Sequence, residues 1–482
     1  MDATRKSRSP ERPAGGDPVS ALAHALLDAG LGAGSRLCVA YSGGLDSTAL
    51  LHALCLLRPA LGFDLAAVHV DHRLHPDSAS WADHCRRQTA SRDVPLTVLE
   101  VRVAGGAGIE AAARTARYAA LAGIDCDRLL FAHQRDDQAE TVLLALLRGA
   151  GPAGLAAMGA DAVRPGHPLG QAPLRPWLGI ERSALLQWAQ TQGLAWIEDP
   201  SNQDLRLDRN FLRQTIGPAL GRRFPGWRAA LARSAQWAAE SQQLLEELAL
   251  QDLAALGPAR PDADPCLLPG SCTAWCALSG PRARNLLRLL LAQRGLGAPP
   301  AARLLEWWRQ LGAGHDRLPE LAWAGVVLRR WGGRLWLEPQ LPSPDLGGER
   351  LWSPDGPALH IAHAGELSGA LSACGTAGAG PGVESPSVLR AGCGPLLMTP
   401  CRGSEHLHLH AGGPGRELRK LFQERGIPPW RRLRMPALRA GGRLAAVAGL
   451  GVAAEFQAAP GAAGWRILWQ DAAVSQAHHQ AW

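Results

Sequence analysis

The 482-residue sequence predicts an α/β fold: a Rossmann-like parallel sheet, then a helical domain, then a small α+β domain at the C-terminus. Three observations predict it. Between residues 19 and 222, apolar runs of strand length alternate with helical patterns, the alternation that builds a parallel sheet covered by helices on both faces. From Trp227 to about Leu311 the pattern is helical, and Trp227–Leu256 is a long run with few breakers. After a stretch rich in Gly, Pro, Ser and Ala, apolar density returns from Ala391 to Trp482.

In chain order, Met1 to Pro18 mixes Arg, Lys, Asp, Glu and Pro without an apolar core, so 1–18 is expected to be a disordered tail rather than a signal peptide. The catalytic domain is expected over 19–222. Its candidate strands are Arg36–Tyr41, Leu65–Val70, Leu96–Val101 and Leu129–His133. In such sheets ligands sit at the carboxyl ends of the strands. A mainly helical domain is expected over 223–340, with helices at Trp227–Leu256, Ala283–Gln293 and Ala301–Leu311. Val326–Arg330, the turn Gly332-Gly333 and Arg334–Leu337 read as a hairpin. Residues 341–390 read as a loose connection. The block 391–482 carries a helix at Arg416–Arg425, closed by Gly426 and Pro428. No internal repeat is present.

Hydrophobic residues make up 46% and charged residues 19%, which suits a soluble globular chain. No run of eighteen apolar residues exists, so no membrane partner is expected. Without an export signal, a cytoplasmic location is expected. The ten cysteines include no Cys-x-x-Cys pair, which argues against a disulfide framework or a four-cysteine zinc site. The net charge of +7 admits a polyanionic partner.

The most informative run is Ser42-Gly43-Gly44-Leu45-Asp46-Ser47-Thr48. It follows a strand-like segment and leads into an apolar helical one. Strand, Gly-rich turn and helix N-terminus together hold a phosphate chain. Glycines let the backbone approach, hydroxyls and free N–H groups donate, and the helix dipole favours negative charge. A Walker A loop is excluded, because it needs Gly-Lys and the only lysines, Lys6 and Lys420, each follow an arginine. The structural alternative is a Gly-Gly turn capped by Ser.

Four further clusters stand out. In His133 to Thr141, a helix beginning near Asp136 would set the carboxylates of Asp137 and Glu140 one turn apart on one face. There they could hold Mg²⁺ or grip an ammonium group, or merely complement the helix dipole. Arg114 and Arg117 share one side of a helix and could neutralise a phosphate. Glu198-Asp199-Pro200-Ser201-Asn202, with Asp208-Arg209-Asn210, has the composition of turns. The basic run Arg416 to Arg443 includes Arg419, Lys420, Arg431, Arg432 and Arg434 beside Trp430, and suits a nucleic-acid backbone and an exposed base; a solvated charged face is the alternative. His69, His72 and His75 recur every third residue, but no further ligand completes a zinc set.

Ser42–Ser47 resembles the pyrophosphate loop, or PP-loop, of the N-type ATP pyrophosphatases. The whole set resembles the bacterial tRNA(Ile)-lysidine synthetases. It comprises Ser42–Thr48, Val68–His72, Gly108–Tyr118, His133–Thr141, Leu146–Gly151, Arg175–Leu178, Trp196–Asn202, Asp208–Asn210 and Leu418–Arg434 around Pro428-Pro429-Trp430. Arg73 stands where that family commonly has Gly, and the C-terminal basic helix uses Arg where relatives often use Lys. The resemblance implies a two-step ligation. Ser42, Gly43, Gly44, Leu45, Asp46 and Ser47 would bind ATP. Mg²⁺ would sit on Asp46 and Asp137. The wobble cytidine of tRNA(Ile) with a CAU anticodon would be adenylated at its C2 oxygen, and free L-lysine would then displace AMP. The product, lysidine, changes decoding from AUG to AUA. Asp46, Asp137, Glu140, Arg114 and His133 are the expected catalytic residues. Arg419, Lys420, Arg431, Arg432 and Arg434 are the expected tRNA contacts. A homodimer is an open expectation. The rivals are a PP-loop tRNA thiolase working through Cys126, a small-molecule ligase and a non-catalytic tRNA binder.

Overall fold

The computed structural model describes residues 16–73, 75–101, 109–159, 169, 172–257, 264–311, 318–344, 346, 350–374 and 388–479. Most of the expected tail, together with Gly108 and the side chain of Glu110, lies outside them. The chain divides into two compact units, Met1–Glu247 and Leu248–Trp482.

The first unit is built on four parallel strands: β1 (Arg36–Ala40), β2 (Asp64–Asp71), β3 (Leu96–Glu100) and β4 (Arg128–Leu130), in the order β3-β2-β1-β4. Its helices are α1 (Pro18–Asp28), α2 (Leu45–Leu61), α3 (Ser78–Ala90), α4 (Ile109–Leu121), α5 (Arg135–Leu147), α6 (Pro152–Leu155), α7 (Arg182–Thr191), α8 (Asp208–Phe211) and α9 (Gly217–Arg223), with α10 (Trp227–Ala255) following. Side chains alternate across β1 as a pleated strand requires. Leu37 and Val39 pack with Leu22, Leu26, Leu50, Leu54 and Leu185 on one face. Cys38 packs with Tyr118, Leu129 and Phe131 on the other. The strand order turns between β1 and β4, the switch point at which such sheets form their ligand crevice, at the strands' carboxyl ends. The loop after β1 and the run after β4 both reach it.

In the second unit, α11 (Cys272–Ala277), α12 (Gly280–Gln293) and α13 (Ala301–Leu311) pack Leu286, Leu287, Leu304 and Trp307 against a three-stranded sheet of β5 (Glu320–Trp323), β6 (Val326–Trp331) and β7 (Arg334–Pro339). The β6–β7 hairpin turns on Gly332-Gly333, at φ +58° and +69°, as expected. The segment expected to be a loose connection contains structure. It holds β8 (Arg350–Trp352), β9 (Leu359–Ile361), β10 (Gly365–Ala373) and β11 (Leu389–Arg390). Its glycines serve close approach between backbones: a Cβ on Gly369 would lie 2.2 Å from the Pro354 carbonyl oxygen.

The remaining elements are β12 (Leu396–Pro400), β13 (His406–Leu407), β14 (Arg416–Glu417), α14 (Leu418–Glu424), α15 (Pro429–Arg432), β15 (Pro436–Ala440), β16 (Arg443–Val447), β17 (Gly451–Val452), β18 (Ala463–Asp471) and α16 (Ala472–His479). With β8 to β11 they form two antiparallel sheets, ordered β11-β18-β10-β9 and β17-β16-β15-β12-β8, around one apolar core, and β13 and β14 pair as a separate two-stranded sheet. The basic helix begins at Leu418, two residues later than expected, because Arg416 and Glu417 pair with β13. No helix among the described residues is long and apolar enough to cross a membrane.

Candidate active site

At the end of β1 the chain turns through Ser42, Gly43 and Gly44 into α2. Gly43 takes φ +82°, which L side chains rarely adopt, and a Cβ there would lie 2.8 Å from Ile197 Cδ1 and 3.0 Å from Cys85 Sγ. Ile197 N–H donates to the Gly43 carbonyl at 2.9 Å. Ser42 and Ser47 hydroxyls lie 3.0 Å apart, and Ser47 Oγ donates to the Gly44 carbonyl at 3.1 Å. The N-cap of α2, Gly44, offers no side-chain acceptor, whereas Asp17 caps α1 and Gln134 caps α5. The first N–H groups of α2 therefore face the crevice without an acceptor of their own, an arrangement made for an anion.

Asp46 stands in the first turn of α2. Its Oδ1 is buried without a hydrogen-bond partner. Burial, followed by the charge of Asp137, pushes its carboxyl up to about 6. Across the crevice, Gln134 Oε1 accepts from Asp136 N–H at 2.6 Å and Asp137 N–H at 3.3 Å, while Asp137 Oδ2 accepts from Gln134 N–H at 3.1 Å. This reciprocal cap starts α5 and aims Asp137 and Glu140 to one side. Arg213 bridges the two carboxylates. Its Nε lies 2.8 Å from Glu140 Oε1, and its Nη2 lies 2.9 Å from Glu140 Oε2 and 3.2 Å from Asp137 Oδ1. Burial raises the Glu140 carboxyl, an effect that Arg213 opposes. Arg213 sits on a π-helical turn, Leu212–Ile216, a distortion frequent at functional sites.

The orphaned Asp46 oxygen beside Asp137 fits a Mg²⁺ ion. Such an ion keeps several waters and takes one or two carboxylates plus substrate phosphates. Among the described residues no set of three His, Cys, Asp or Glu side chains gathers as a metal cage.

A second group lines the end of β4. His133 Nδ1 accepts from Arg175 Nε at 3.2 Å. Burial, then Arg175, Arg117, Arg114 and Arg209, hold this imidazole well below its usual range. Arg114 Nη2 donates to Tyr118 Oη at 3.3 Å. Burial would raise the Tyr118 phenol, but Arg114, Arg117 and Arg175 together bring it below its ordinary value. Arg209 Nη2 donates to Thr141 Oγ1 at 3.2 Å, tying α8 to α5.

The turn-like cluster is a scaffold for both groups. Asp199 accepts from Ser201 N–H at 2.8 Å, and the buried Asn210 donates to the Ser201 and Asp204 carbonyls at 2.8 and 3.0 Å. One end of this scaffold braces Gly43 through Ile197, and the other carries Arg209 and Arg213. Arg175, Arg209 and Arg213 take no role of their own from the sequence. Their only signal is membership of the runs Arg175-Pro176-Trp177 and Asp208-Arg209-Asn210-Phe211-Leu212-Arg213. His69 is buried, with Nδ1 2.9 Å from the Tyr41 carbonyl, a structural place rather than a metal one.

Cys126, the thiolase candidate, lies before β4, at the opposite end of the sheet, where its side chain pairs with Cys38. Cys85 lies beneath Gly43 but is fully buried, and burial pushes its thiol up to about 12. Arg73, the departure from Gly, takes φ +50°, the backbone form that explains a glycine there; Asp71 Oδ1 accepts from its N–H at 2.8 Å.

In the basic block, Arg419 and Lys420 are exposed on α14. Arg431 and Arg434 are corrected: they are 7% and 8% exposed. Arg431 pairs with Asp264 and, at 2.6 Å, with Glu338. Trp430 packs with Trp336 beside it, so Arg431 meets the buried Glu338 and the half-buried Asp264 rather than solvent. Arg432 is half-buried and donates from Nε to the Ile427 carbonyl at 2.8 Å.

Three family models match the chain. A family model described as a PP-loop domain matches residues 20–220. One described as the TilS substrate binding domain matches 271–336, and one described as the TilS substrate C-terminal domain matches 397–469. The tRNA(Ile)-lysidine synthase of Aromatoleum aromaticum is 42% identical over 447 residues, covering 92% of this chain and 100% of that one. That of Alkalilimnicola ehrlichii is 45% identical over 440 residues, covering 89% and 93%. With relatives this similar along nearly their whole length, the chain belongs to the tRNA(Ile)-lysidine synthase family.

Proposed function

We propose that the protein ligates free L-lysine to C2 of the wobble cytidine in tRNA(Ile) bearing a CAU anticodon, with ATP converted to AMP and pyrophosphate. The observation that carries this reading is the pair of opposed sites at the switch point: an uncapped, Gly-lined helix N-terminus facing two carboxylates that already hold a cation, Arg213. One side receives a phosphate chain and the other an ammonium group.

In the first step the loop Ser42–Ser47 holds the β and γ phosphates through N–H and hydroxyl donors. The C2 oxygen of the base forms a bond to the α-phosphorus, and the bond to pyrophosphate breaks. Arg114 and His133 would meet the α-phosphoryl oxygens as they gain charge. Mg²⁺ on Asp46 and Asp137, when bound, supplies positive charge to the departing pyrophosphate. In the second step the ε-amine of lysine attacks C2, a C–N bond forms and the C–O bond to AMP breaks. Asp137 and Glu140 orient the ammonium and accept the proton that must leave before the amine can attack. The exposed Arg419 and Lys420 contact tRNA phosphates. A cytoplasmic location follows from these substrates. Sedimentation with and without tRNA tests the homodimer.

The test is incubation with ATP, radiolabelled lysine and unmodified isoleucine or methionine tRNA carrying the same anticodon. Label on the isoleucine tRNA alone, with stoichiometric AMP, is expected. Label on neither tRNA overturns the proposal.

A further inference from the structure

We propose that Arg175 is a positioning residue that locks His133 as a neutral imidazole with its proton on Nε2, so that His133 serves phosphoryl transfer as a hydrogen-bond donor and never as a base. The catalytic half of this statement rests on the adenylating reading above; the tautomer does not.

A guanidinium always carries its protons and has no acceptor atom. Arg175 Nε donates to His133 Nδ1 at 3.2 Å, so Nδ1 holds a lone pair. A neutral ring has one N–H, which must then be at Nε2. Arg175 is itself fixed. It is 5% exposed, its Nη1 donates to the Gly159 carbonyl at 2.9 Å, and its Cζ lies 5.8 Å from the centre of the Phe131 ring. That ring stacks on His133, with centroids 5.4 Å apart and planes 16° apart. The imidazole is thus held in plane by Phe131 and in tautomer by Arg175.

A second proton at Nδ1 would set two N–H groups head to head. It would also add a positive charge beside four already there, Arg175, Arg114 and Arg117 on α4, and Arg209 on α8. The chemistry agrees. The attacking C2 oxygen of cytidine is a carbonyl with no proton to remove, so a base would have no work in the first step. A fixed neutral N–H instead meets charge that grows on the phosphoryl oxygens, without rearranging at that moment. Arg175 also reaches the Tyr118 phenol, but its one bond to the imidazole is to His133 Nδ1, and it is through that ring that it acts on the reaction.

The experiment is ¹⁵N NMR of the histidine-labelled full chain, with His133→Gln identifying the resonances. Nδ1 unprotonated, Nε2 protonated and no titration between pH 5.5 and 8 are expected. In Arg175→Met the two tautomers mix and a titration appears near the ordinary histidine value of about 6.5. tRNA-dependent AMP formation then falls roughly 10- to 100-fold in kcat, with the KM for ATP changing less than about threefold. Arg175→Lys, which can still donate to Nδ1, recovers part of the rate. A proton on Nδ1, or titration near 6.5 in the unaltered protein, overturns the proposal, as does Arg175→Met with an unchanged tautomer. If that variant does not fold, the unaltered protein's spectra still decide. A correct tautomer with no AMP from any tRNA sinks the adenylation reading alone.

Discussion

Gly43 joins three demands at one Cα: a positive φ, a carbonyl that accepts from Ile197, and a surface that Ile197 and Cys85 already cover. Gly43→Ala therefore strains the backbone and pushes Ile197 off the loop. Loss of about 1–3 kcal/mol of stability is expected, from denaturant unfolding. At least a hundredfold loss of tRNA-dependent pyrophosphate release is expected as well, because the loop's N–H groups lose their aim. Asp46 governs pH dependence. Its folded carboxyl is raised to about 6, so the ionised form that accepts Mg²⁺ is lost as pH falls through that value. Pyrophosphate release should drop below pH about 6, and added Mg²⁺ should move the midpoint downward, since cation and proton compete. The sign for stability is opposite: burial disfavours the charge, so folding is weakened as pH rises through the folded value. Asp46→Asn should thus abolish activity and yet raise stability at pH 8, on the order of 1 kcal/mol. A midpoint indifferent to Mg²⁺ would refute the assignment.

At the scale of elements, α5 and the π-helical turn hold the charge balance of the crevice. Glu140 is 3% exposed and its carboxyl is raised by burial, so its charge is tolerated only beside Arg213. Arg213→Met should leave Glu140 to bind a proton instead. The melting temperature of the variant should fall more steeply than that of the parent as pH rises above the ordinary carboxylate range, because more of its stability belongs to the protonated form. The KM for lysine should change as well, whereas pyrophosphate binding at α2 should not. Both are read from steady-state kinetics. Much of this element-level order was legible. The α2 loop announces itself because a phosphate grip needs glycines, hydroxyls and a helix start in sequence. The start of α5 was readable because its acidic first turn follows an apolar strand. Arg213 and Arg175 were not readable, since nothing local separates the half-buried, bridging Arg213 or the buried Arg175 from the many other arginines in the chain. The strands of 341–390 were missed for a related reason. Gly365 and Gly369 look like linker residues, but their glycines make room for the backbones at Gln470 and Pro354, partners far away or across a turn.

At the scale of the whole molecule, the positive charge of the C-terminal block divides into two kinds that composition cannot distinguish. Arg431 faces Glu338 and Asp264, both drawn from segments that precede the block by many residues. Burial alone would lower its affinity for a proton, but these carboxylates outweigh that, and the pair of buried charges is held only in this packing. Removing one partner strands the others, at a cost of about 3–5 kcal/mol. Arg419 and Lys420 meet solvent and can release counterions when they meet phosphate. The two kinds should separate cleanly. Arg431→Met should lower the unfolding transition of the second unit and weaken tRNA binding only where that unit has melted. Arg419→Gln with Lys420→Gln should leave the transition within about 0.5 kcal/mol of the parent, since exposed substitutions seldom do more. The same pair should weaken tRNA binding and flatten its dependence on salt by close to two phosphate contacts. Calorimetry and filter binding across a salt series read both. A salt slope that falls for Arg431→Met in the fully folded protein, and not for the exposed pair, would reverse the division and put the RNA surface on the other side of α15.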